Sequence, residues 1–161
     1  MSEAADYKLV LSSVVGSELT EDKAKLLATK LGVSHFKDGE LLIQEGEADQ
    51  RLIILVEGKI AVISKDSEGN EQHIYTMRAG ECAGTRAFVE QSPRKATLRA
   101  VGDATVYTLT PDDFEHILDD NPRLAYKVMR ALFRVTHANL ARMNQETQEL
   151  TNYITKTQGR Y

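Results

Sequence analysis

Hydrophobic and polar positions along the chain change their period twice, which divides it into three zones. The first zone, residues 1–34, contains the stretch SELTEDKAKLLATKLG, in which apolar residues recur at helical spacing. The residues near one face of this helix are Leu19, Ala24, Leu27 and Leu31. Ser17 or Thr20 can cap the helix at its start and Gly32 can end it. The first zone is therefore predicted to be an N-terminal helical segment.

The second zone, residues 35–110, has the pattern of short β-strands separated by glycines. The recurring glycines are Gly39, Gly46, Gly58, Gly69, Gly80 and Gly102. Their spacing, mostly near a dozen residues, predicts many short strands in a barrel or sandwich. IAVISKDSEGNEQHIYTM predicts a hairpin that turns on EGN, and LRAVGDATVYTL predicts a second pair of strands around Gly102 and Asp103.

The third zone, residues 111–161, is predicted to be helical. Pro111 suits the first position of one helix, and Asn121 followed by Pro122 suits the start of the next. No Gly or Pro then interrupts the chain to about residue 156. A 4-3 spacing joins Met129, Phe133, Thr136, Leu140, Met143, Thr147, Leu150 and Ile154. This spacing predicts a parallel homodimer through residues 125–154; the alternative is a helix packed along its own domain.

Length and composition place the chain among ordinary globular proteins. Its 161 residues, 42 % hydrophobic and 27 % charged, suit one domain with a core, or a small domain with an appended helix. The net charge of −4 gives no general attraction to DNA or an anionic membrane. LVLSSVV is short and follows Glu3 and Asp6, so it does not resemble a signal peptide, and no apolar stretch approaches the ~18 residues of a membrane span. A soluble, cytoplasmic protein is predicted.

Residues of catalytic or metal-binding type are scattered. The four histidines form no HxH or HxxxH pair, and no serine lies in a nucleophile elbow. Cys82 is the single cysteine; it excludes an intramolecular disulfide and suits a small buried filler. We therefore expect no catalytic residues, no metal, no cofactor and no enzymatic activity.

The stretch that carries candidate chemistry is GECAGTRAFVEQSPRKATLRA, residues 80–100, with small residues, four basic side chains and an arginine after a proline. A phosphate is a compact anion, which an arginine fork and the N–H groups of a helix N-terminus hold well. Gly84 would permit close approach of the backbone, and TRAFVE can form a helical turn behind it. The alternative is that Arg94 is an ordinary surface arginine.

The β zone followed by two helices resembles the cyclic nucleotide-binding domain, a family that includes the catabolite activator protein and the regulatory subunits of protein kinase A. The resemblance covers about residues 18–145. FKDGELLIQEGEADQRLIILVEGKIAV, residues 36–62, is similar to the family's opening strands. Residues 80–97, hereafter the cassette, resemble its phosphate-binding cassette, which ends on a PR-A-AT pattern. The implied fold is α+β and mainly β: a double-stranded β-helix, or jelly-roll-like β-roll, with an N-terminal helix and a long C-terminal helix.

The resemblance implies a regulatory module that binds a cyclic nucleotide, first of all cyclic AMP, and transmits occupancy through its C-terminal helix. Arg94 would pair with the phosphate, with N–H groups of Lys95, Ala87 and their neighbours completing the cradle. Val62 and Ile74 would pack on the base, and Thr136 or Asn139 would reach the purine. The full set of implied ligand-binding residues is Val62, Ile74, Gly84, Thr85, Arg86, Ala87, Arg94, Lys95, Ala96, Thr136 and Asn139.

The cassette departs from the family pattern at the position nine residues before Arg94, where Thr85 replaces a glutamate that accepts the ribose hydroxyl. Arg86 and Ala83 replace a leucine and a phenylalanine. Two alternatives therefore stay open: a structural or dimerisation domain with a degenerate pocket, and a sensor of another anionic ligand such as a cyclic dinucleotide. Thr85 itself either contacts ribose or caps the short helix.

In the transcription factors of the family a helix-turn-helix domain follows the long helix. Here the sequence stops at residue 161, so direct DNA binding is not expected. A module of this kind would act through an effector protein, or the sequence is a fragment of a larger protein.

Overall fold

The computed structural model describes residues 3–158, which form six strands and five helices. The strands are β1 Gly32–Phe36, β2 Leu41–Ile43, β3 Leu52–Lys65, β4 Glu71–Arg78, β5 Cys82–Ala83 and β6 Thr97–Leu109. The helices are α1 Tyr7–Leu11, α2 Glu21–Ala28, α3 Thr85–Glu90, α4 Pro111–Asp120 and α5 Pro122–Gln158. Strand β1 thus begins at Gly32, three residues before residue 35, where the β zone was predicted to begin.

All strand pairs are antiparallel, and two long strands carry the sheet. The order is β1-β6-β3-β4, with β2 also on β6 and β5 also on β3. Along β3 the register shifts on either side of Glu57. Gly58 lies at this bend with a φ of 88°, where a Cβ would come within 2.2 Å of the Asp103 carbonyl oxygen. The bend rolls the sheet on itself, and the predicted jelly-roll-like β-roll with flanking helices is confirmed.

The predicted second strand pair around Gly102 is wrong. Residues 97–109 form one continuous strand, β6, whose two ends pair with different segments. Its first part pairs with β2 and the far end of β3, and its second part pairs with β1 and the near end of β3. Gly102 has a positive φ of 72°, so it bends the strand without reversing it.

The predicted hairpin is confirmed, and it contains a bulge. Strands β3 and β4 pair on either side of a turn in which Asp66 Oδ1 accepts from the backbone N–H groups of Glu68 and Asn70, both at 2.9 Å. Val62 stands opposite Tyr75, whereas Ile63 stands opposite His73. Ile74 is therefore the additional residue on β4, and the alternation of inward and outward side chains changes phase there.

The N-terminal segment contains a helix that the sequence pattern did not reveal. Helix α1 has only five residues, too few to show a helical period, yet Val10 and nearby Val15 are fully buried. Helix α2 begins after Thr20, whose hydroxyl accepts from the Lys23 N–H at 3.3 Å, as predicted. It ends at Ala28, so the prediction that Gly32 ends this helix is wrong, and Gly32 begins β1 instead.

The core consists of two hydrophobic clusters, one on the helical side of the sheet and one in the interior of the roll. One joins α1, α2, α4 and the start of α5 to the first half of β3; the other fills the roll. In α5 the buried residues Leu124, Val128 and Leu132 recur every fourth position, and they hold the first turns of the helix on the domain. Across residues 3–158, no helix has both the length and the apolar character needed to cross a membrane.

Both predicted helix starts in the third zone are confirmed. Pro111 is the first residue of α4, and the Thr110 hydroxyl accepts from the Asp113 N–H at 3.0 Å. Asn121 Oδ1 accepts from the Leu124 N–H at 3.2 Å at the start of α5. These caps satisfy N–H groups that have no partner within the helix.

Candidate functional site

An open cavity of about 310 Å³ lies where the cassette crosses the roll. It brings together Val62 and every cassette residue predicted from the sequence. The lining residues are Ile43, Val62, Ala83, Gly84, Thr85, Arg86, Ala87, Pro93, Arg94, Lys95, Ala96 and Leu98. The lining therefore combines an apolar strand face with three basic side chains, and these described residues include no carboxylate.

Helix α3 begins at the cavity because Gly84 turns the chain into it. Gly84 is the N-cap, with a φ of 83°, and Thr85 is the first helical residue. The alternative that Thr85 caps this helix is therefore wrong, because the capping position is occupied by Gly84. A Cβ on Gly84 would lie 1.9 Å from Arg94 Nη1, so only glycine allows the arginine to lie directly against this backbone.

Arg94 forms the floor of the cavity and is not a surface arginine. Its side chain is only 4 % exposed. Its backbone is held by the 44–50 loop, since its N–H donates to the Glu47 carbonyl and its own carbonyl accepts from the Gly46 N–H, both at 2.9 Å. One guanidinium nitrogen, Nη2, donates to the carbonyl oxygen of Arg51. Burial lowers the pKa of Arg94, opposed by the charge of Asp49.

The loop before β3 places a second arginine and a carboxylate beside Arg94. Arg51 donates from Nε to both Asp49 oxygens at 3.1 Å and from Nη2 to Oδ2 at 2.7 Å. These bonds hold the pKa of Asp49 down, at about 2. Sequence reasoning missed both residues, because the contact joins positions 45 residues apart and no local pattern marks it.

The remaining basic residues of the cavity face solvent. Arg86 is exposed, and its Nε lies 3.0 Å from Glu90 Oε2, one turn along α3. Lys95 is exposed as well. The surrounding backbone fixes the position of Arg94 but not of these two side chains. They therefore contribute positive electrostatic potential and do not position a ligand through fixed hydrogen bonds.

The Thr85 side chain influences the ionisation of the Cys82 thiol. Burial raises the pKa of the Cys82 thiol to about 11, although a hydrogen bond with the Thr85 side chain works in the opposite direction. The thiol is therefore protonated at neutral pH. Cys82 is partly buried and lines a neighbouring cavity, so it is less enclosed than the predicted buried filler.

Residues expected to contact the base are not all in this cavity. Thr136 lines a neighbouring cavity of about 320 Å³ that shares Thr85 and Arg86, and its hydroxyl donates to the Leu132 carbonyl at 2.9 Å. Asn139 lines another, of about 370 Å³, that shares Val62 and Ala83.

Ile74 lines none of these three cavities and is 60 % exposed. The bulge explains its outward position, since it puts Tyr75 opposite Val62. Tyr75 lines the cavity that contains Asn139, and its hydroxyl donates to Glu81.

Comparison with known proteins gives matches over most of the chain. A family model described as the cyclic nucleotide-binding domain matches residues 33–121. A cGMP-dependent protein kinase of Eimeria tenella is 28 % identical over 124 residues, which are 76 % of this chain and 12 % of the kinase. The cAMP-activated global transcriptional regulator of Escherichia coli O157:H7 is 27 % identical over 137 residues, 84 % of this chain and 61 % of the regulator. The chain thus spans less than two thirds of these relatives.

Solved structures share the fold. A cyclic nucleotide-binding domain from Methylobacillus flagellatus superposes with a TM-score of 0.82 at 18 % identity, over 91 % of this chain and 86 % of that one. The regulatory subunit of a cAMP-independent protein kinase A from Trypanosoma brucei gives a TM-score of 0.69 at 25 % identity, over 81 % of this chain and 45 % of that one.

The sequence match covers the roll, the cassette and the cavity between them, and the structural match extends over the flanking helices. Together they place the chain in a family of regulatory domains: it belongs to the cyclic nucleotide-binding domain family.

Proposed function

We propose that this domain is a sensor of cyclic AMP that binds the cyclic phosphate on Arg94. The proposal rests on the burial and incomplete hydrogen bonding of the Arg94 side chain. It is buried at the cavity floor, and its Nε has no hydrogen-bond partner among the described residues. A buried guanidinium with an unsatisfied donor is unfavourable unless an anion completes its bonding, and a phosphate oxygen does so.

The backbone around Arg94 supports the same ligand. Thr85, Arg86 and Ala87 are the first residues of α3, so their N–H groups have no partner within the helix, and all three residues line the cavity with Arg94. A phosphate there would receive bonds from the arginine fork and from these amides together. Gly84, Lys95 and Ala96 complete the proposed cradle.

The nucleoside would lie along the apolar wall formed by Val62 and Ala83. Thr136 and Asn139 line the two neighbouring cavities, so a modest movement of α5 towards the roll would bring their polar groups to the base. This movement is the proposed signal, because the buried residues of α5 lie in its first turns, whereas its later contacts with the roll involve exposed side chains, such as Arg142 over the Tyr75 ring. Relatives named for cyclic AMP and for cyclic GMP both match the chain. The preference for adenine over guanine is therefore a separate part of the proposal.

The exposed part of α5 is the proposed dimerisation surface. Phe133, Leu140 and Leu150 are 70 %, 52 % and 60 % exposed along the 4-3 pattern. A parallel coiled coil would bury these residues in a homodimer and couple the two ligand sites. We further propose that the domain works in the cytoplasm through an effector protein, without catalysis or direct DNA binding.

Calorimetric titration tests the proposal. Purified protein is titrated with cyclic AMP, cyclic GMP and a cyclic dinucleotide, and 5′-AMP serves as the control that lacks the cyclic phosphate. We expect cyclic AMP to bind most tightly and 5′-AMP to give no comparable heat. Binding of the dinucleotide alone would support the more anionic ligand, which the three basic cavity residues favour. No heat with any ligand up to millimolar concentration would support the structural domain instead.

A further inference from the structure

Beside the cavity, the Asp49 carboxylate lies close to two arginines, Arg51 and Arg94, and it pairs much more closely with Arg51. Arg51 makes three side-chain hydrogen bonds to Asp49 at 2.7–3.1 Å, and its backbone N–H donates a fourth to Oδ1 at 3.0 Å. Arg94 Nη2 lies 3.5 Å from Oδ1. That distance exceeds the roughly 2.7–3.2 Å of a good hydrogen bond, so Asp49 belongs chiefly to Arg51.

This unequal pairing matters because Asp49 and a phosphate would compete for the Arg94 guanidinium. A carboxylate that paired fully with Arg94 would neutralise it and occupy donors that an anionic ligand needs. Arg94 instead keeps Nε without a partner among residues 3–158, although its side chain is 4 % exposed. The three charged groups carry a net charge of about +1, which an arriving anion balances.

We propose that Arg51 is a positioning residue that holds Asp49 away from Arg94 and so keeps the Arg94 guanidinium available to an anionic ligand. The inference rests on the proposed function, in which that ligand is a cyclic nucleotide. Arg51 is not among the residues that line the cavity, so its side chain acts through Asp49 and not by contact with the ligand. Its backbone carbonyl, which accepts from Arg94 Nη2, is retained in any side-chain variant. Without Arg51, Asp49 would turn to Arg94 and compete with the phosphate.

A double-mutant cycle with cyclic AMP separates this role from a direct one. Affinities are measured by calorimetry for the parent, Arg51→Gln, Asp49→Asn and the double variant. We expect Arg51→Gln to weaken cyclic AMP roughly tenfold when Asp49 is present. In the Asp49→Asn background the same change should alter affinity by less than about twofold, because no carboxylate remains to compete. Equal losses in the two backgrounds would overturn the proposal.

Two further variants control for charge. Arg99→Gln removes a half-buried arginine that pairs with Glu71 on the outside of the roll, and it should leave affinity unchanged. Arg51→Lys keeps the charge but loses the fork, so it should weaken binding by an intermediate factor. Parental affinity for Arg51→Lys would show that charge alone matters and would contradict the proposal.

A measurement without ligand keeps the inference testable if the protein binds no cyclic nucleotide. Carbon-13 NMR follows the titration of the Asp49 carboxyl in the parent, in Arg51→Gln and in Arg94→Gln, with thermal melts to verify folding. We expect Arg51→Gln to raise the pKa of Asp49 from about 2 towards its ordinary value, and Arg94→Gln to change it less. The reverse order would refute the division of Asp49 proposed here, whether or not cyclic AMP binds.

Discussion

The cassette and the exposed part of α5 differ in where their partners come from. Within the cassette the buried arginine is fixed by other parts of the same chain: Gly84 lies against Arg94, and the 44–50 loop holds the Arg94 backbone. Beyond Leu132 the helix carries apolar side chains such as Phe133 and Leu150 that are mostly exposed. The packing contacts of the first region come from the same molecule, whereas the apolar side chains of the second are largely uncovered.

This difference separates two kinds of function in one small domain. A site that must hold a compact anion depends on groups fixed in position before the ligand arrives. A helix that transmits a signal must instead change partners or position at low cost, and the buried residues of α5, among them Leu124, Val128 and Leu132, lie at its beginning. The following predictions test whether the division is real.

The largest expected effect is the loss of ligand binding on Arg94→Ala. The change removes a fork of charge-assisted hydrogen bonds worth about 3–5 kcal/mol, so cyclic AMP should bind at least about 100-fold more weakly. The fold should survive, because Asp49 stays paired with Arg51. Calorimetry measures the affinity and a thermal melt verifies the fold, with Arg99→Ala as the matched arginine control. An Arg94→Ala variant that binds like the parent would remove the basis for the proposed site.

The second prediction concerns assembly. A variant with Leu140→Glu and Leu150→Glu should be monomeric at tens of micromolar, where the parent should be a dimer by light scattering. Burying a leucine contributes about 1.5–3 kcal/mol, and each dimer would lose four, so dimer affinity should fall by more than about 100-fold.

The control for assembly carries Gln145→Glu and Asn152→Glu, which add the same charge away from the 4-3 positions. It should dimerise like the parent. A monomeric parent, in the presence and absence of cyclic AMP, would contradict the dimer and leave the α5 surface for another partner.

The third prediction isolates the close packing inside the cassette. Gly84→Ala should weaken cyclic AMP by roughly tenfold or more and also lower stability, because the new Cβ would collide with Arg94 Nη1 at 1.9 Å. Gly39→Ala is the matched control, since Gly39 has the same φ of 83° with no atom within 4 Å of the added carbon. Both variants share the backbone strain of about 1–2 kcal/mol, and only Gly84→Ala should impair binding. Equal effects on affinity would mean that the packing against Arg94 is unimportant.

Local signals predicted most of the fold. The EGN turn and the caps Thr20 and Asn121 each depend on residues close in sequence, and each is confirmed. The glycine spacing predicted many short strands, whereas Gly58 and Gly102 lie within the long strands β3 and β6. The helix α1 was missed because five residues cannot display a 3.6-residue period. The strand β6 was divided in error because Gly102 carries a turn signal, while the bend at Gly58 depends on a backbone contact with Asp103 that is distant in sequence.

The candidate site shows the same limit. The cassette is contiguous, so a resemblance could identify Gly84, Thr85 and Arg94 together, and the structure places them in one cavity. Asp49 lies 45 residues from Arg94, and only the folded loop reveals their contact. Ile74 was assigned to the base by the resemblance, but the bulge in β4 puts Tyr75 opposite Val62 and leaves Ile74 exposed.

The smallest expected effect is that of the change Thr85→Glu. Thr85 lines the cavity at the first position of α3, where a carboxylate could accept a bond from the ribose hydroxyl of cyclic AMP. Such a charge-assisted bond exceeds a neutral one by about 1–2 kcal/mol, so cyclic AMP should bind roughly five- to thirtyfold more tightly.

Thr85→Gln is the matched control for this last prediction, because it has the same length as glutamate and no charge. It should give a smaller gain than Thr85→Glu, since its bond to the ribose is neutral. A carboxylate also favours a helix N-terminus, so thermal melts of both variants without ligand must separate stability from affinity. If Thr85 instead suits a more anionic ligand, Thr85→Glu should repel a cyclic dinucleotide while cyclic AMP gains nothing. Unchanged affinity for both ligands would place Thr85 outside the contact region.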